Sequence, residues 1–308
     1  MVGFVFAGQG AQYVGMGRDV CARYPCAAER MAEASEALGF DVARMAFEGD
    51  EETLRVTENT QPCILAVSVA IYAALDGLGV KAGMAAGLSL GEYGALVAAG
   101  ALDFRDAVSL VRRRGRYMQE AVPVGEGMMA AIIGLEDGAV EDICSRAGGH
   151  GLVSPANYNC PGQVAISGEV KAVEWAMEEA RRVGAKKVAA LQVSAPFHCA
   201  MLRRAGDRLA ADLGGVPIGA MRMPVVSNVT GEAYGDLGDV RGLLARQVYS
   251  PVRWADCVRA MVGAGVDAFV EVGPGTVLSG FIKRISKDSA VHSAADCESL
   301  ERAAAALG

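Results

Sequence analysis

Three short apolar runs, each ending in a glycine turn, constrain this chain more than any other feature. Residues 3–7 run into Gly8-Gln9-Gly10, residues 84–87 into the turn around Ser89, and residues 268–272 into Gly273-Pro274-Gly275. Short runs without polar alternation read as strands buried on both faces, and such strands belong to parallel sheets whose connections carry helices. The stretches between them supply helical patterns at 13–38 and 92–99, and another that opens at Thr60-Gln61-Pro62, with the proline in the first turn, and ends at Gly77 and Gly79. A further run at 225–228 is expected to add another parallel strand. The expectation is an α/β core, and 39 glycines with 52% hydrophobic residues in 308 suit a large buried interior.

The segment from about 128 to 193 follows its own order. Strands are expected at 128–134, 151–156, 163–167 and 187–193, with helices at 137–147 and 169–183, the second amphipathic and carrying Trp175. The order βαββαβ is ferredoxin-like. The chain therefore divides into a large α/β domain, residues 1–126 and 196–308, and a small inserted domain, residues 127–195.

Charge and cysteine usage exclude several classes. With 29 Lys and Arg against 36 Asp and Glu the net charge is −7, so there is no basic surface for a phosphate backbone and nucleic acid is not an expected partner. The apolar runs at 64–75 and 94–102 fall short of the roughly 20 residues that cross a bilayer. No basic leader opens the chain, so neither a membrane span nor a secretory signal is expected. The eight cysteines are scattered, without a C-x-x-C pair or metal-ligand spacing, which fits reduced thiols in a cytoplasm.

Gly87-Leu88-Ser89-Leu90-Gly91 matches G-x-S-x-G, in which flanking glycines let the backbone turn sharply enough to present a serine hydroxyl at a helix start. The pattern alone is weak. The preceding strand, the following apolar helix and the helix dipole at a developing negative charge strengthen it. A serine nucleophile needs a base, and the chain has three histidines. His150 lies in a glycine loop of the small domain and His292 beside the polar tail, so both read as spectators. His198 stands where the small domain returns to the large one, and domain seams are where sites form.

These residues spell out a family. Phe6-Ala7-Gly8-Gln9-Gly10-Ala11-Gln12, Gly87-Leu88-Ser89-Leu90-Gly91-Glu92-Tyr93 and Ser194-Ala195-Pro196-Phe197-His198 resemble the malonyl-CoA:acyl carrier protein transacylase family. Further matches run in order along nearly the whole chain: Asn59-Thr60-Gln61-Pro62, Arg114-Gly115, Asn157 to Gln163, Arg246 to Val252, and Glu271 to Gly275.

The resemblance implies an α/β-hydrolase-like core with a ferredoxin-like insertion, and a Ser89-His198 dyad whose imidazole is supported by the main-chain carbonyl of Gln247. It implies oxyanion donors at the backbone N–H groups of Gln9 and Leu90, and a clamp at Arg114 for the free carboxylate of a malonyl group. The other arginines of that run, Arg112, Arg113 and Arg116, are expected to face solvent, since neighbours at helical spacing point in different directions. Phe197 matches the bulky residue associated with malonyl rather than methylmalonyl units, and equally suits ordinary core. Asn159 and Gln163 match a loop near the site, with roles left open.

One departure is Leu88, where the family usually carries histidine. It removes a polar neighbour of the nucleophile and leaves the dyad intact. The implied partners are an acyl carrier protein of fatty-acid or polyketide synthesis and a coenzyme A thioester. No metal or redox cofactor is required, and a monomer is expected. Two rival readings remain at this point: a thioesterase or esterase on a related core, and a catalytically silent carrier-binding domain.

Overall fold

The computed structural model describes residues 1–193 and 195–308; Ser194 of the histidine motif lies outside them. Among the described residues there are eight strands: β1 (Val2–Phe6), β2 (Met84–Gly87), β3 (Gly127–Ile133), β4 (Val153–Cys160), β5 (Gln163–Glu169), β6 (Lys187–Ala190), β7 (Ala268–Val272) and β8 (Ala290–Ala294). They form two sheets, ordered β2-β1-β7-β8 and β4-β5-β3-β6. The first is wholly parallel and the second wholly antiparallel. The second sheet, with helices Asp137–Ala147 and Val170–Arg182, has the βαββαβ order read from the sequence.

The register of the parallel sheet positions the site. Phe6 pairs with Gly87 on one side and with Val272 on the other, so β1, β2 and β7 end at one level. The three glycine turns therefore leave the sheet side by side, at the carboxyl edge where open α/β sheets hold their ligands. β2 is buried throughout because helices cover both faces. Its turn is tight: a methyl group on Gly91 would lie 2.1 Å from the carbonyl oxygen of Phe6, and one on Gly87 would lie 1.9 Å from the carbonyl carbon of Gly91.

Several sequence expectations are corrected. The pattern at 13–38 is two helices, Arg18–Arg23 and Pro25–Leu38, because Pro25 holds Tyr24 extended at φ −114°, ψ 108° and starts a new helix. The helix expected to open at Thr60 begins at Thr57, so Pro62 lies inside Thr57–Gly77 rather than in its first turn. Thr60 Oγ1 donates to the carbonyls of Leu54 and Val56 and secures this entry. At 21 residues the helix is long and apolar enough to cross a bilayer, yet it is mostly buried within the fold and serves as a core helix. Residues 225–228 form isolated bridges, Val225 to Ala85 and Val226 to Ala233, rather than a strand. Pro224 precedes them and cannot donate to a ladder. β8, an edge strand, was not read from the sequence.

Replacing Gly91 by alanine is expected to destabilise the protein by about 2–3 kcal/mol, since the added methyl must displace backbone. Urea denaturation checks this; a change within about 0.5 kcal/mol contradicts the close packing described.

Candidate active site

Ser89 sits at the turn between β2 and the helix Gly91–Ala98 with φ of 54°, in the left-handed region. His198 is the other non-glycine residue there among the described residues, with φ of 61°. Such a backbone costs an ordinary residue about 1–2 kcal/mol, and both strained residues point at each other. The Ser89 Oγ to His198 Nε2 distance is 2.7 Å, and both residues are buried. His198 Nδ1 lies 2.8 Å from the main-chain oxygen of Gln247, so an Nδ1–H donates to that carbonyl and leaves Nε2 as the acceptor for the serine hydroxyl. Among the described residues no carboxylate takes part in this support.

Burial first, and the Arg114 charge second, hold the His198 imidazole down at about 3, against backbone hydrogen bonds at Gln247 and Ser250 that favour the charged ring. The ring is neutral at physiological pH, the form in which it can accept a proton. The folded value lies below the unfolded 6.5. His198 therefore contributes stability above pH 6.5 that is lost as pH falls toward 3.

Arg114 comes from the helix Phe104–Ala121 and is 2% exposed. Its Nη1 donates to Gln61 Oε1 at 2.8 Å, and its Nη2 donates to Gln247 Oε1 at 2.9 Å and to Ser89 Oγ at 3.0 Å. The other arginines of the run face outward: Arg112 pairs with Glu58, Arg113 with Asp212 and Arg116 with Glu120. Arg114 alone turns inward. Among the described residues no carboxylate oxygen lies within ion-pair distance of it. A buried cation supported only by neutral groups is costly, and burial lowers its pKa.

The remaining predicted residues fall around this centre. Leu90 is buried one position after the nucleophile, at the cap of the following helix. Gln9 lies in the turn after β1 and its side chain reaches Thr57 Oγ1 at 3.2 Å. A methyl group on Gly8 would lie 2.5 Å from the Leu88 carbonyl oxygen, so the Gly8-Gln9 turn presses against the nucleophile turn. Leu88 itself is half-buried, and its side chain lies against Gly8 and the apolar cluster around Trp254. Phe197 is buried beside His198 and packs into the main core. Gln163 bonds Arg284 at the surface and is not part of the centre. His150 stacks on Trp175 and His292 lies in β8, so neither approaches Ser89.

Sequence reasoning missed three residues. Asn228 Oδ1 accepts the Ser89 N–H at 2.6 Å while its Nδ2 donates to the Gly87 carbonyl at 2.8 Å. Glu92 is fully buried, and Tyr234 donates its hydroxyl to it. The available signals were a polar residue ending the apolar run at 225–228 and an acid inside an otherwise apolar helix.

A strained serine bonded to a backbone-supported neutral histidine, at the carboxyl edge of a parallel sheet, defines an enzyme of the covalent acyl-transfer class. The acyl transferase domain model matches residues 3–304, and the chain belongs to that family. It is 48% identical over 283 residues to the malonyl CoA-acyl carrier protein transacylase of Escherichia coli, covering 92% of each chain. It is 42% identical over 303 residues to the enzyme of that name from Bacillus subtilis, covering 98% of this chain and 96% of that one. Among solved structures, the transacylase of Clostridium perfringens superposes with a TM-score of 0.97 at 45% identity, over 99% of this chain and 96% of that one. A malonyl-transacylase solved in complex with a type II polyketide acyl-carrier protein superposes with a TM-score of 0.96 at 43% identity, over 99% of both.

The rate of Ser89 acylation is expected to show no loss governed by His198 between pH 7 and pH 5, because that ring is already neutral. A limb near pH 6.5 in the single-turnover profile that persists when Glu92 is replaced by glutamine contradicts the buried neutral base.

Proposed function

We propose that this acyltransferase moves a malonyl group from malonyl-CoA to the phosphopantetheine thiol of an acyl carrier protein, through an ester on Ser89. The observation that carries this reading is Arg114, a buried cation without a carboxylate partner among the described residues, whose Nη2 lies 3.0 Å from the nucleophilic oxygen. Malonyl thioesters carry a free carboxylate a few bonds from the reacting carbonyl, and a guanidinium binds such a group in a planar fork. An acetyl group leaves the cation as it is.

In the first half-reaction the Ser89 oxygen attacks the thioester carbonyl as His198 Nε2 takes its proton. The oxyanion is received by the N–H groups of Gln9 and Leu90, each such donor being typically worth about 3 kcal/mol. Collapse breaks the carbon–sulfur bond, and the coenzyme A thiol departs with the proton from His198. The carrier thiol then gives its proton to His198 and attacks the ester, restoring the serine hydroxyl. No step calls for a metal or redox cofactor. The substrate carboxylate also offsets the Arg114 charge that weakens the base, so His198 gains basicity when the matching acyl group is bound. Phe197, against the main core beside His198, limits room for a branched acyl chain. We further place the enzyme in the cytoplasm, acting as a monomer.

Replacing Arg114 by alanine is expected to lower kcat/KM for malonyl-CoA by about a hundredfold or more, the size of a lost charge-paired contact, and to leave acetyl-CoA as good a substrate or a better one. Assay of transfer to the holo carrier with both thioesters checks this. An equal loss for both, or hydrolysis to free malonate with carrier present, contradicts the reading.

A further inference from the structure

Beyond the dyad and the clamp lies a carboxylate that the transfer steps do not use. Glu92 projects from the helix that follows the nucleophile, three residues after Ser89, and is 0% exposed. Among the described residues no cation lies within ion-pair distance of it; its contacts are neutral donors. Burying a charge on these terms is expensive, and burial pushes the Glu92 carboxyl up to about 6.

All of its contacts are donors. Tyr234 O–H donates to Oε1, while the Asn228 main-chain N–H, at 3.1 Å, and Gln247 Nε2, at 2.6 Å, donate to Oε2. Gln247 Nε2 also donates to the Ser89 carbonyl at 2.9 Å. A carboxylate and a carbonyl oxygen can only accept. Facing both, the Gln247 side chain must present its NH2 group, and its Oε1 is thereby turned toward Arg114 Nη2, 2.9 Å away. The opposite amide orientation would set NH2 against guanidinium, donor against donor.

We propose that Glu92 is a positioning residue that fixes the orientation of the Gln247 amide and, through it, the aim of the Arg114 guanidinium beside Ser89. Its influence on substrate choice rests on the malonyl-transfer reading. The clamp is thus set from the side of the nucleophile helix, by a group that touches neither substrate nor reacting atoms.

The test compares Glu92→Gln and Glu92→Leu with the wild type, using the rates of Ser89 acylation by malonyl-CoA and acetyl-CoA in one preparation of each. The glutamine variant can still turn its amide oxygen to Gln247 and Asn228, with its NH2 toward the Tyr234 oxygen, so its malonyl-to-acetyl ratio is expected to stay within about twofold of wild type. The leucine variant lacks the acceptor, and its ratio is expected to fall at least about tenfold, the size of one lost hydrogen bond to a charged group. Partial unfolding lowers both rates together and leaves the ratio unchanged. A folded leucine variant with the wild-type ratio overturns the proposal. Should that variant not fold, a glutamine variant that has lost the ratio overturns it equally. A wild-type enzyme without malonyl preference would instead sink the reading on which the proposal rests.

Discussion

The contact between Ser89 Oγ and His198 Nε2 joins residues 109 positions apart, and much of the molecule serves to hold it. Both residues occupy left-handed backbone conformations that neither would choose in a free chain. What over-determines them is local and specific. Gly87 and Gly91 allow the turn to close on β1, Asn228 takes the otherwise unpaired Ser89 N–H, and the Gln247 carbonyl fixes the ring. The aligned ends of β1, β2 and β7 provide the platform on which these turns meet.

Two buried charges shape the electrostatics around that contact. Arg114 and Glu92 are linked through the Gln247 amide rather than by a direct ion pair, so each keeps an unneutralised field. The cation depresses the basicity of His198 and sits beside the nucleophile, where an anionic acyl group can be received. Gln247 serves the centre twice, its main chain holding the base and its side chain holding the guanidinium. That double use explains why a residue without acid, base or nucleophile chemistry occupies the middle of the site.

The fold was legible wherever a strand ended in glycine or helices alternated with short apolar runs. β1, β2 and β7 announce themselves in this way, as does the βαββαβ order of the antiparallel sheet. Pro62 was misjudged and the helix start at Pro25 was not read, because proline marks a first turn in one helix and sits inside the other, and tertiary packing decides which. Residues 225–228 have strand composition, but the stretch follows a proline and is held by bridges. At the site, Ser89 was marked by its glycines and His198 by the scarcity of histidine. Gln247 and Arg114 came through family resemblance. Glu92 and Asn228 stayed hidden because their partners lie 136 to 155 residues away for all but the nearest contacts, and nothing in local spacing encodes such a network.

The most direct measurement of the central claim is the intact mass of the protein after mixing with malonyl-CoA in the absence of carrier. The account predicts one added malonyl group on the wild type, mapped by peptide sequencing to Ser89, and none on the Ser89→Ala variant. A malonyl adduct of equal yield on that variant, or an adduct on another residue of the wild type, would contradict it.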